Sequence, residues 1–349
     1  MSLPPVEIPL GAMRFNSDSQ KLEYFNGQVW MQVHTFSPNL DGGARAVFMG
    51  NFTEVSPGST GTIDYVTISS QGNATDFGDL LTVEYYGAGC SSRTRGIYMG
   101  GEEPMTDTIS YVTISTTGNS ADFGNLTESV KYLPSGGSND TRGIRAGGVD
   151  GPTSNPFNTI DYVTIASTGD AKDFGDLTTR QKYSISTNSS TRMLIAGGVN
   201  VPGHPSANNT IEYLNFATYG NTEEFGDLTQ IQSAGGAGAA CSSTRGIFFV
   251  EGYISSGWSN TNVINYVTMA STGNAVDFGD LTFARKNSGS TSSKTRALCA
   301  GGYYGSSPNY TNSIEYIEIA TTGNAVDFGD RTVAGSYFAG CSNDHGGLG

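Results

Sequence analysis

A single stretch of sequence occurs six times along this 349-residue chain, and it limits the possible folds more than any other feature. The last copy, residues 313–330, reads SIEYIEIATTGNAVDFGD. The isoleucines at the centre of the copies lie 46 to 53 residues apart, at Ile63, Ile109, Ile160, Ile211, Ile264 and Ile314. A repeat of this length is typical of solenoids, arrays and propellers, because one unit is too small to bury its own apolar faces and stacks on its neighbours.

Each repeat contains four segments with the character of β-strands, here named a to d. In the unit that ends with the last copy they lie within residues 281–294, 295–302, 313–319 and 325–330. Strand c alternates Ile, Tyr and Val with Asp, Glu and Thr, and this period of two indicates a strand whose two faces meet different surroundings. The 48 glycines and the charged fraction of only 14% also favour short strands joined by turns. A four-stranded unit of this kind predicts one blade of an all-β propeller.

The two ends of the repeat array predict how the blades close into a ring. The first unit has no strand a, whereas residues 332–342 follow the last strand d and align with the strand a segment at 82–91. We therefore predict a six-bladed β-propeller whose C-terminal strand completes the first blade, which removes free sheet edges. The alternative, seven blades, requires residues 12–40 to form a blade. The predicted segments are an extended proline-rich arm at 1–10, a β-hairpin module at 11–34 and the propeller at 35–349, with repeats near 44–80, 81–126, 127–177, 178–228, 229–281 and 282–331 and a closing strand at 332–345.

The repeat resembles the kelch repeat, in which two glycines end strand b and a tyrosine lies in strand c. The glycine pairs here are Gly100-Gly101, Gly147-Gly148, Gly197-Gly198 and Gly301-Gly302. The strand c tyrosines are Tyr65, Tyr111, Tyr162, Tyr213, Tyr266 and Tyr316. The kelch tryptophan of strand d is replaced by Phe77, Phe123, Phe174, Phe225, Phe278 and Phe328. The resemblance implies a divergent kelch-like β-propeller. The repeat is also similar to repeats in structural proteins of marine tailed bacteriophages, especially cyanophages, which implies a virion component.

Residues 11–33, which precede the repeats, are predicted to form three short strands. Turns are expected at residues 16–20 and at Asn26-Gly27, where both residues tolerate positive φ. We expect the apolar side chains of this segment to pack together, namely Phe15, Leu22, Tyr24, Val29 and Trp30. The segment resembles a hairpin module of phage tail-fibre and other virion proteins, matched by Gly11, Arg14, Asn16, Glu23, Gly27 and Trp30. The resemblance implies attachment to other virion proteins, with Arg14, Phe15, Tyr24 and Trp30 as the candidate residues.

Charged residues recur at two fixed positions of every repeat. An arginine opens strand b, at Arg45, Arg95, Arg142, Arg192, Arg245 and Arg296. An acid precedes the strand d phenylalanine, at Asp76, Asp122, Asp173, Glu224, Asp277 and Asp327. We interpret the two sets as structural ion pairs, because a catalytic site rarely needs six copies and arginine suits paired hydrogen bonds to carboxylates. A calcium loop at the Asp-Phe-Gly-Asp segment stays open as an alternative, although calcium needs ~6–8 oxygen ligands and the segment has no Asp-x-Asp-x-Asp series.

The loops between strands b and c differ in length and sequence, while the c–d turns are nearly constant. Because strand direction alternates, all b–c loops are expected at one end of the blades. They carry aromatic side chains and a histidine, at Phe157, His204, Tyr253, Trp258, Tyr303, Tyr304 and Tyr310. Exposed aromatic side chains among Gly, Ser, Asn and Pro are typical of contacts with protein or carbohydrate. The alternative is that each one folds back onto its own blade as local packing.

Composition argues against several functional classes. The net charge of −14 disfavours nucleic acid and anionic membranes as partners, because like charges repel. No signal peptide is expected, and no stretch approaches the ~20 apolar residues of a membrane span. Cys90, Cys241, Cys299 and Cys341 form no CxxC motif and are expected to be reduced, and the three histidines lie in unrelated contexts. We therefore predict no metal, no cofactor and no enzymatic activity.

These features predict a non-enzymatic structural protein of a phage virion, in the tail, in a fibre or on the capsid surface. The arm and hairpin are expected to attach it to other virion proteins. We expect synthesis in the host cytoplasm and an oligomeric state in the particle. The alternative is a receptor-binding module that recognises a host-surface glycan or protein through its b–c loops.

Overall fold

The computed structural model describes residues 8–16, 21–32, 44–53, 58–102, 105–150, 155–200, 207–233, 235, 238–252, 260–305 and 309–348. Every regular element in these ranges is a β-strand, and every strand pair is antiparallel. The chain divides into two compact units, Met1–Leu40 and Asp41–Gly349. In their described parts the first unit holds one three-stranded sheet, and the second holds six four-stranded sheets in a propeller-like arrangement.

The sheet of the first unit is a small meander of β1 (Met13–Asn16), β2 (Lys21–Phe25) and β3 (Trp30–Gln32). One face is held by polar contacts. Glu23 accepts hydrogen bonds from Arg14 at 2.9 Å and from Asn16 at 3.0 Å. These bonds, first that of Asn16 and then that of Arg14, lower the pKa of Glu23. The Arg14 guanidinium lies 4.2 Å from the ring centre of Trp30, and Phe25 packs on the same ring at 5.5 Å.

The opposite face of this small sheet is apolar and exposed. Its exposed side chains, called here the apolar hairpin face, are Met13, Phe15, Tyr24 and Met31. Phe15 is 66% exposed. The prediction that Phe15, Val29 and Trp30 pack together is wrong, because strand alternation puts Phe15 and Trp30 on opposite faces and Val29 lies exposed in the turn. The side chain of Leu22 lies outside the described part.

The six sheets of the second unit each have the order a-b-c-d. Sheet 1 contains β4 (Arg45–Phe52), β5 (Ser59–Thr67) and β6 (Thr75–Asp79), and sheet 2 contains β7 (Ala88–Ser91), β8 (Arg95–Met99), β9 (Thr106–Thr113) and β10 (Ala121–Val130). Sheet 3 contains β11 (Ser135–Ser138), β12 (Arg142–Ala146), β13 (Thr159–Thr164) and β14 (Lys172–Asp176), and sheet 4 contains β15 (Ile185–Asn188), β16 (Arg192–Ala196), β17 (Asn208–Asn215) and β18 (Glu223–Gln232). Sheet 5 contains β19 (Ala240–Cys241), β20 (Arg245–Phe249), β21 (Thr261–Thr268) and β22 (Val276–Arg285), and sheet 6 contains β23 (Gly289–Ser292), β24 (Arg296–Ala300), β25 (Ser313–Glu318) and β26 (Val326–Asp330). Strand a of sheet 1 is β27 (Ala339–Ser342), which pairs with β4 so that Cys341 lies opposite Val47.

The repeated Gly-Asn and Asp-Phe-Gly-Asp segments form a hydrogen-bonded clasp between neighbouring sheets. Between sheets 1 and 2, the N–H of Gly118 donates to the carbonyl of Phe77 at 2.7 Å. The N–H of Asp79 donates to the side chain of Asn119 at 3.1 Å. The same two contacts recur between every two successive sheets, with Asp170 in place of asparagine once. The near identity of these segments therefore reflects backbone pairing between units.

The clasp also joins sheet 6 to sheet 1 and explains the glycine of its strand d segment. The N–H of Gly72 donates to the carbonyl of Phe328 at 2.8 Å. At the clasp between sheets 5 and 6, Gly279 has a φ of +147°, and a Cβ there would lie 2.4 Å from the carbonyl oxygen of Gly323. Only glycine fits a position that combines this conformation with so close an approach.

Apolar side chains of strands b, c and d fill the space between neighbouring sheets. Between sheets 1 and 2 the core contains Val47, Met49 and Ile63 from one sheet and Val112 and Ile114 from the other. All six isoleucines that define the repeat are fully buried. Burial of one such side chain contributes about 1.5–3 kcal/mol to stability. The repeated sequence therefore builds the interfaces between sheets, and it leaves the ends of the sheets for the loops.

Candidate binding surface

The arginine that opens each strand b does not pair with the acid of strand d, so the predicted repeat ion pairs are wrong. The guanidinium of Arg95 lies 4.7 Å from the ring centre of Tyr111 in strand c. It donates a hydrogen bond to the carbonyl of Ile165 in the next sheet at 2.9 Å. The same stacking on the strand c tyrosine occurs at Arg45, Arg142, Arg192, Arg245 and Arg296.

The acids expected as partners of these arginines are exposed on strand d. They are Asp76, Asp122, Asp173, Glu224, Asp277 and Asp327. Strand c lies between strands b and d in each sheet, and its tyrosine ring stacks on the arginine, so the two charges stay apart. Arg296 does pair with an acid, but that acid is Glu318 on strand c, at 2.6 Å. Backbone carbonyls of the next sheet therefore take the place that carboxylates were predicted to fill.

A different set of acids, in strand c, makes buried ion pairs that sequence reasoning missed. Asp64 accepts hydrogen bonds from Arg331 at 3.2 Å and from Thr332 at 2.9 Å, both of which follow strand d of sheet 6. The side chains of Asp64 and Arg331 are each 0% exposed. The other buried pairs are Arg145 with Asp161 and Arg285 with Glu315. The alternation of apolar and polar residues in strand c was the signal for these pairs. When neighbouring elements cover both faces of a strand, the polar face is buried as well, and its side chains need hydrogen-bond partners.

The segments that lead from strand d into strand a hold non-glycine residues in the left-handed backbone conformation. At one position in five of the sheets φ lies between 58° and 68°, at Tyr86, Tyr132, Tyr183, Asn287 and Tyr337. Asparagine adopts this conformation readily, but tyrosine does so at a cost of ~1–2 kcal/mol. Strain of this kind persists only where the surrounding structure enforces it, and it concentrates at functional sites.

The four strained tyrosines meet where the inner strands begin. The ring centre of Tyr86 lies 4.1 Å from that of Tyr337, 5.0 Å from that of Tyr132 and 6.3 Å from that of Tyr183. Tyr132 and Tyr183 stack at 5.7 Å. The separations of 5.0, 5.7 and 6.3 Å suit favourable aromatic pairs. All four residues are half-buried, so each keeps some exposed surface. Burial and the neighbouring tyrosines raise the pKa of Tyr86 and of Tyr183, and both therefore remain neutral hydroxyl groups.

The cluster continues outward to the b–c loops. Phe52 lies 5.8 Å from Tyr337 and 6.2 Å from Tyr310, measured between ring centres, and Tyr310 packs on Tyr303 at 5.6 Å. A β-bridge between Lys286 and Tyr303 ties the segment before strand a to the start of a b–c loop. We call this continuous group the aromatic surface, and it consists of Phe52, Tyr86, Tyr132, Tyr183, Tyr303, Tyr310 and Tyr337.

Among the loop residues named from the sequence, Tyr303 and Tyr310 belong to the aromatic surface. Tyr304 is exposed and packs edge-on against Phe283 at 5.6 Å. Phe157 packs on the core between sheets 2 and 3, which is the local packing given above as the alternative. The remaining three, His204, Tyr253 and Trp258, lie outside the described residues.

Sequence reasoning missed the four strained tyrosines. It treated the segments that hold them as part of strand a, and it sought ligand contacts in the b–c loops alone. The recurrence of tyrosine two or three positions before the start of strand a in four units is the signal that could have found them.

Lysines lie beside the aromatic surface in three units, directly before the residue with positive φ. They are Lys131, Lys182 and Lys286. The ammonium of Lys131 lies 4.6 Å from the ring centre of Tyr132 and 2.7 Å from the carboxylate of Glu102. The ammonium of Lys182 lies 5.3 Å from the same ring. Cations within ~6 Å of an aromatic ring centre are attracted to its face. The surface thus combines flat apolar faces, hydroxyl groups and positive charge.

The other end of the inner strands is filled by the residues that follow β27. The His345 ring is buried, 3.4 Å from the hydroxyl of Ser138 and 3.3 Å from the carbonyl of Ser91. The N–H of Gly346 donates to the carbonyl of Cys241 at 3.2 Å. A cavity of about 10 Å³ remains beside His345, which is room for about one water molecule. Burial lowers the pKa of His345 to about 4.

In the ranges that the structure describes, no group of three or more His, Cys, Asp and Glu side chains is placed to hold a metal ion. The four cysteines are buried free thiols, as predicted. Burial raises the pKa of Cys241 to about 11 and the pKa of Cys299 and Cys341 to about 12. Such thiols are poor nucleophiles near neutral pH, because the thiolate is the reactive form.

Comparison with known proteins gave no match, either to a family model or to a curated protein. Within the described ranges, the chain has no helix with the length and hydropathy that crossing a membrane requires. The chemistry of the site itself therefore has to indicate the function.

Proposed function

We propose that this protein is a non-enzymatic structural protein of a phage virion that binds a host-surface glycan or protein through its aromatic surface. The observation that carries the binding role is the contact of four half-buried tyrosines at positive φ. Asn287 holds the equivalent position in sheet 6, so the backbone there does not require a tyrosine. Four tyrosines that meet at one place despite backbone strain support a role in which their rings contact a ligand.

We infer that the six sheets form one closed, six-bladed, kelch-like ring. Three contacts between the last and first repeats support this inference: the pairing of β27 with β4, the clasp between sheets 6 and 1, and the hydrogen bond that Arg296 donates to the carbonyl of Ile68 at 3.2 Å. Seven blades would need residues 12–40 to form a blade, and the described part of that range forms a three-stranded sheet in another compact unit. In a six-bladed ring the aromatic surface covers one end of the central axis.

The hairpin is proposed to attach the protein to other virion proteins, within an oligomeric assembly in the particle. The apolar hairpin face supports this role, because it leaves the large apolar side chains of Met13 and Phe15 exposed side by side, and an exposed apolar patch is typical of a protein-contact site. Phe15 and Tyr24 belong to the apolar hairpin face, whereas Arg14 and Trp30 do not. They stack on the opposite face and hold the sheet in shape.

Binding of the full-length protein to host cells tests the aromatic surface. The double variant Tyr86→Asn with Tyr183→Asn removes two rings and introduces the residue that sheet 6 already has at this position. We expect binding to weaken at least about tenfold, since a buried aromatic anchor is worth about 2 kcal/mol or more. The matched control is Tyr219→Thr, which removes an exposed tyrosine from a c–d turn where sheets 3 and 5 have Thr168 and Thr272.

Three results would contradict these proposals. Unchanged binding by the double variant, with an unchanged melting temperature, would remove the aromatic surface as the binding site. Absence of the protein from purified particles in electron microscopy would overturn the virion assignment. Catalytic turnover by the purified protein would overturn the non-enzymatic assignment.

A further inference from the structure

The cavity beside His345, called here the central cavity, lies where the inner strands of the repeat unit meet. Strands a of sheets 1, 2, 3, 4 and 6 contribute to its wall, and Ala239, directly before β19, contributes for sheet 5. Its volume of about 10 Å³ admits one molecule of the size of water. A molecule bound there would therefore contact sheets that are not neighbours in the chain.

Two buried side chains in this wall each have a polar atom without a hydrogen-bond partner. Asn188 is 0% exposed, and its Nδ2 donates to the carbonyl of Ser138 at 2.7 Å, but its Oδ1 accepts no hydrogen bond from the described residues. Thr291 is 1% exposed, and its Oγ1 likewise has no partner within the described ranges. A buried polar atom without a partner is costly, and native structures commonly satisfy such an atom with an ordered water.

Thr187 shows how the equivalent hydroxyl is satisfied elsewhere. Thr187 and Thr291 hold the same position on strand a in sheets 4 and 6, because each lies opposite a leucine of strand b, Leu194 and Leu298. The hydroxyl of Thr187 donates to the carbonyl of Ala240 in the next sheet at 2.7 Å. A protein atom thus satisfies this hydroxyl in sheet 4, whereas in sheet 6 the threonine borders the central cavity.

His345 adds a third polar group to the wall. The N–H of Gly347 donates to Nδ1 of the ring at 3.1 Å, which assigns the proton of the neutral ring to Nε2. From Nε2, the carbonyl of Ser91 lies at 3.3 Å and the hydroxyl of Ser138 at 3.4 Å. Both distances exceed the usual N–H···O distance of about 2.9–3.0 Å, so these contacts hold the proton weakly.

We propose that the central cavity binds one ordered water molecule, which donates a hydrogen bond to Oδ1 of Asn188 and accepts one from the hydroxyl of Thr291. This water joins sheet 4 to sheet 6 across sheet 5, and its third polar neighbour is His345, which follows the closing strand β27. Buried waters typically make about three hydrogen bonds and are costly to remove. The site is separate from the aromatic surface, none of whose residues lines the cavity.

An ion fits the central cavity less well than water does. A hard cation such as calcium needs ~6–8 oxygen ligands, usually with several carboxylates, and no carboxylate of the described residues lines this wall. An anion would face the lone pairs of Asn188 Oδ1, which can only accept a hydrogen bond. Water is the small molecule that donates to the amide oxygen and accepts from the hydroxyl at the same time.

High-resolution crystallography of the full-length protein tests the site directly. We expect one density peak in the cavity of the wild type, within hydrogen-bond distance of Asn188 Oδ1 and Thr291 Oγ1. Thr291→Val keeps the shape of the side chain and removes the hydroxyl, so we expect the peak to be lost. Thr291→Ser keeps the hydroxyl and should keep the water. The matched control is Thr187→Val, which removes a hydroxyl bonded to a protein carbonyl and should leave the water in place.

Oxygen-17 relaxation dispersion, which counts long-lived bound waters, supplies the same comparison in solution. Wild type and Thr187→Val should each hold one long-lived water more than Thr291→Val, with melting temperatures confirming that the variants fold. A dry cavity in the wild-type crystal would overturn the proposal, and so would a peak with the short contacts or the anomalous scattering of an ion. A water that persists unchanged in Thr291→Val would overturn the bridge between sheets 4 and 6.

Discussion

At the scale of single residues, the burial of an acidic side chain decides how much that side chain contributes to stability. An acid recurs at the position of Asp76 in every repeat and is exposed, whereas Asp64, twelve positions earlier in the same sheet, is fully buried with Arg331. The position of Asp64 is not uniform, since Ser110 and Asn265 occupy it in sheets 2 and 5. A residue that varies between units is thus the one that carries a buried charge.

Replacement of these two aspartates should therefore give different stabilities. Asp64→Ala leaves the Arg331 guanidinium buried without its carboxylate, and we expect a loss of about 3–5 kcal/mol in the free energy of unfolding. Asp76→Ala removes an exposed charge, and we expect a change within about 0.5 kcal/mol. Denaturant unfolding of both variants measures the difference. Similar losses for the two variants would contradict the buried pair.

At the scale of strands and turns, the clasp is the element that joins one sheet to the next. Its hydrogen bonds run from the c–d turn of one unit to the backbone around Phe-Gly-Asp of the preceding unit. The clasp depends on backbone atoms, on two glycines and on one asparagine or aspartate side chain, so it restricts which residues the c–d segment can have. This explains why the c–d segments stay nearly constant while the b–c loops vary.

A pair of glycine variants separates steric clash from backbone strain in the clasp. Gly279→Ala places a Cβ 2.4 Å from the carbonyl oxygen of Gly323 and also forces alanine to adopt a φ of +147°. Gly323→Ala, at a φ of +158°, meets no atom within 4 Å. We expect backbone strain of about 1–3 kcal/mol in Gly279→Ala, with a further loss from the clash. Thermal unfolding measures both variants, and an equal or smaller loss for Gly279→Ala would contradict the close approach.

The apolar hairpin face gives a prediction about assembly. Met13→Ser combined with Phe15→Ser should reduce incorporation of the protein into particles at least about tenfold, because the exposed apolar area that a partner would cover is lost. The melting temperature of the repeat unit should not change, because the hairpin belongs to a separate compact unit. Val29→Ser, an equally polar change at an exposed turn residue, is the control. Normal incorporation of the double variant would contradict attachment through this face.

The strands were predictable from sequence to a greater extent than the site. Period two in strand c and the constant spacing of Ile63 and its equivalents identify four-stranded units, because both features depend on local geometry. The partner of Arg95 could not be found this way, since it is a backbone carbonyl in another sheet. The strained Tyr86 was equally hidden, because the sign of its φ depends on how strand a is anchored by the whole assembly. Local patterns report periodicity, while the site depends on contacts between units.

At the scale of the whole molecule, the two ends of the inner strands have opposite characters. One end presents rings, hydroxyl groups and lysines, and the other is packed with the residues after β27. Ionisable groups buried within the repeat unit make its stability depend on pH. His345 has a lowered pKa of about 4, whereas Glu251 is buried beside Ser288 and has a pKa raised to about 7.

The sign of the pH dependence differs for the two groups. The folded state disfavours protonated His345, so its contribution to stability is complete above its unfolded pKa of 6.5 and is lost as pH falls towards 4. Over this range we expect the free energy of unfolding of the wild type to fall by up to about 3 kcal/mol relative to that of His345→Gln. Glu251→Gln tests the opposite sign, because ionised Glu251 is disfavoured and its contribution is lost as pH rises from 4.5 to 7. Urea unfolding at several pH values measures both differences, and a flat difference for His345→Gln would contradict its burial as a neutral ring.

The pairing of β27 with β4 has a consequence for synthesis. Residues 339–342 leave the ribosome after every other strand of the repeat unit, so β4 keeps an unpaired edge throughout translation. An open strand edge is a template for aggregation, and it attracts chaperones and proteases. A chain that stops before β27 leaves sheet 1 without its inner strand and exposes that edge permanently. The fold therefore distinguishes chains that contain residues 339–342 from chains truncated before them, because only the former can complete sheet 1.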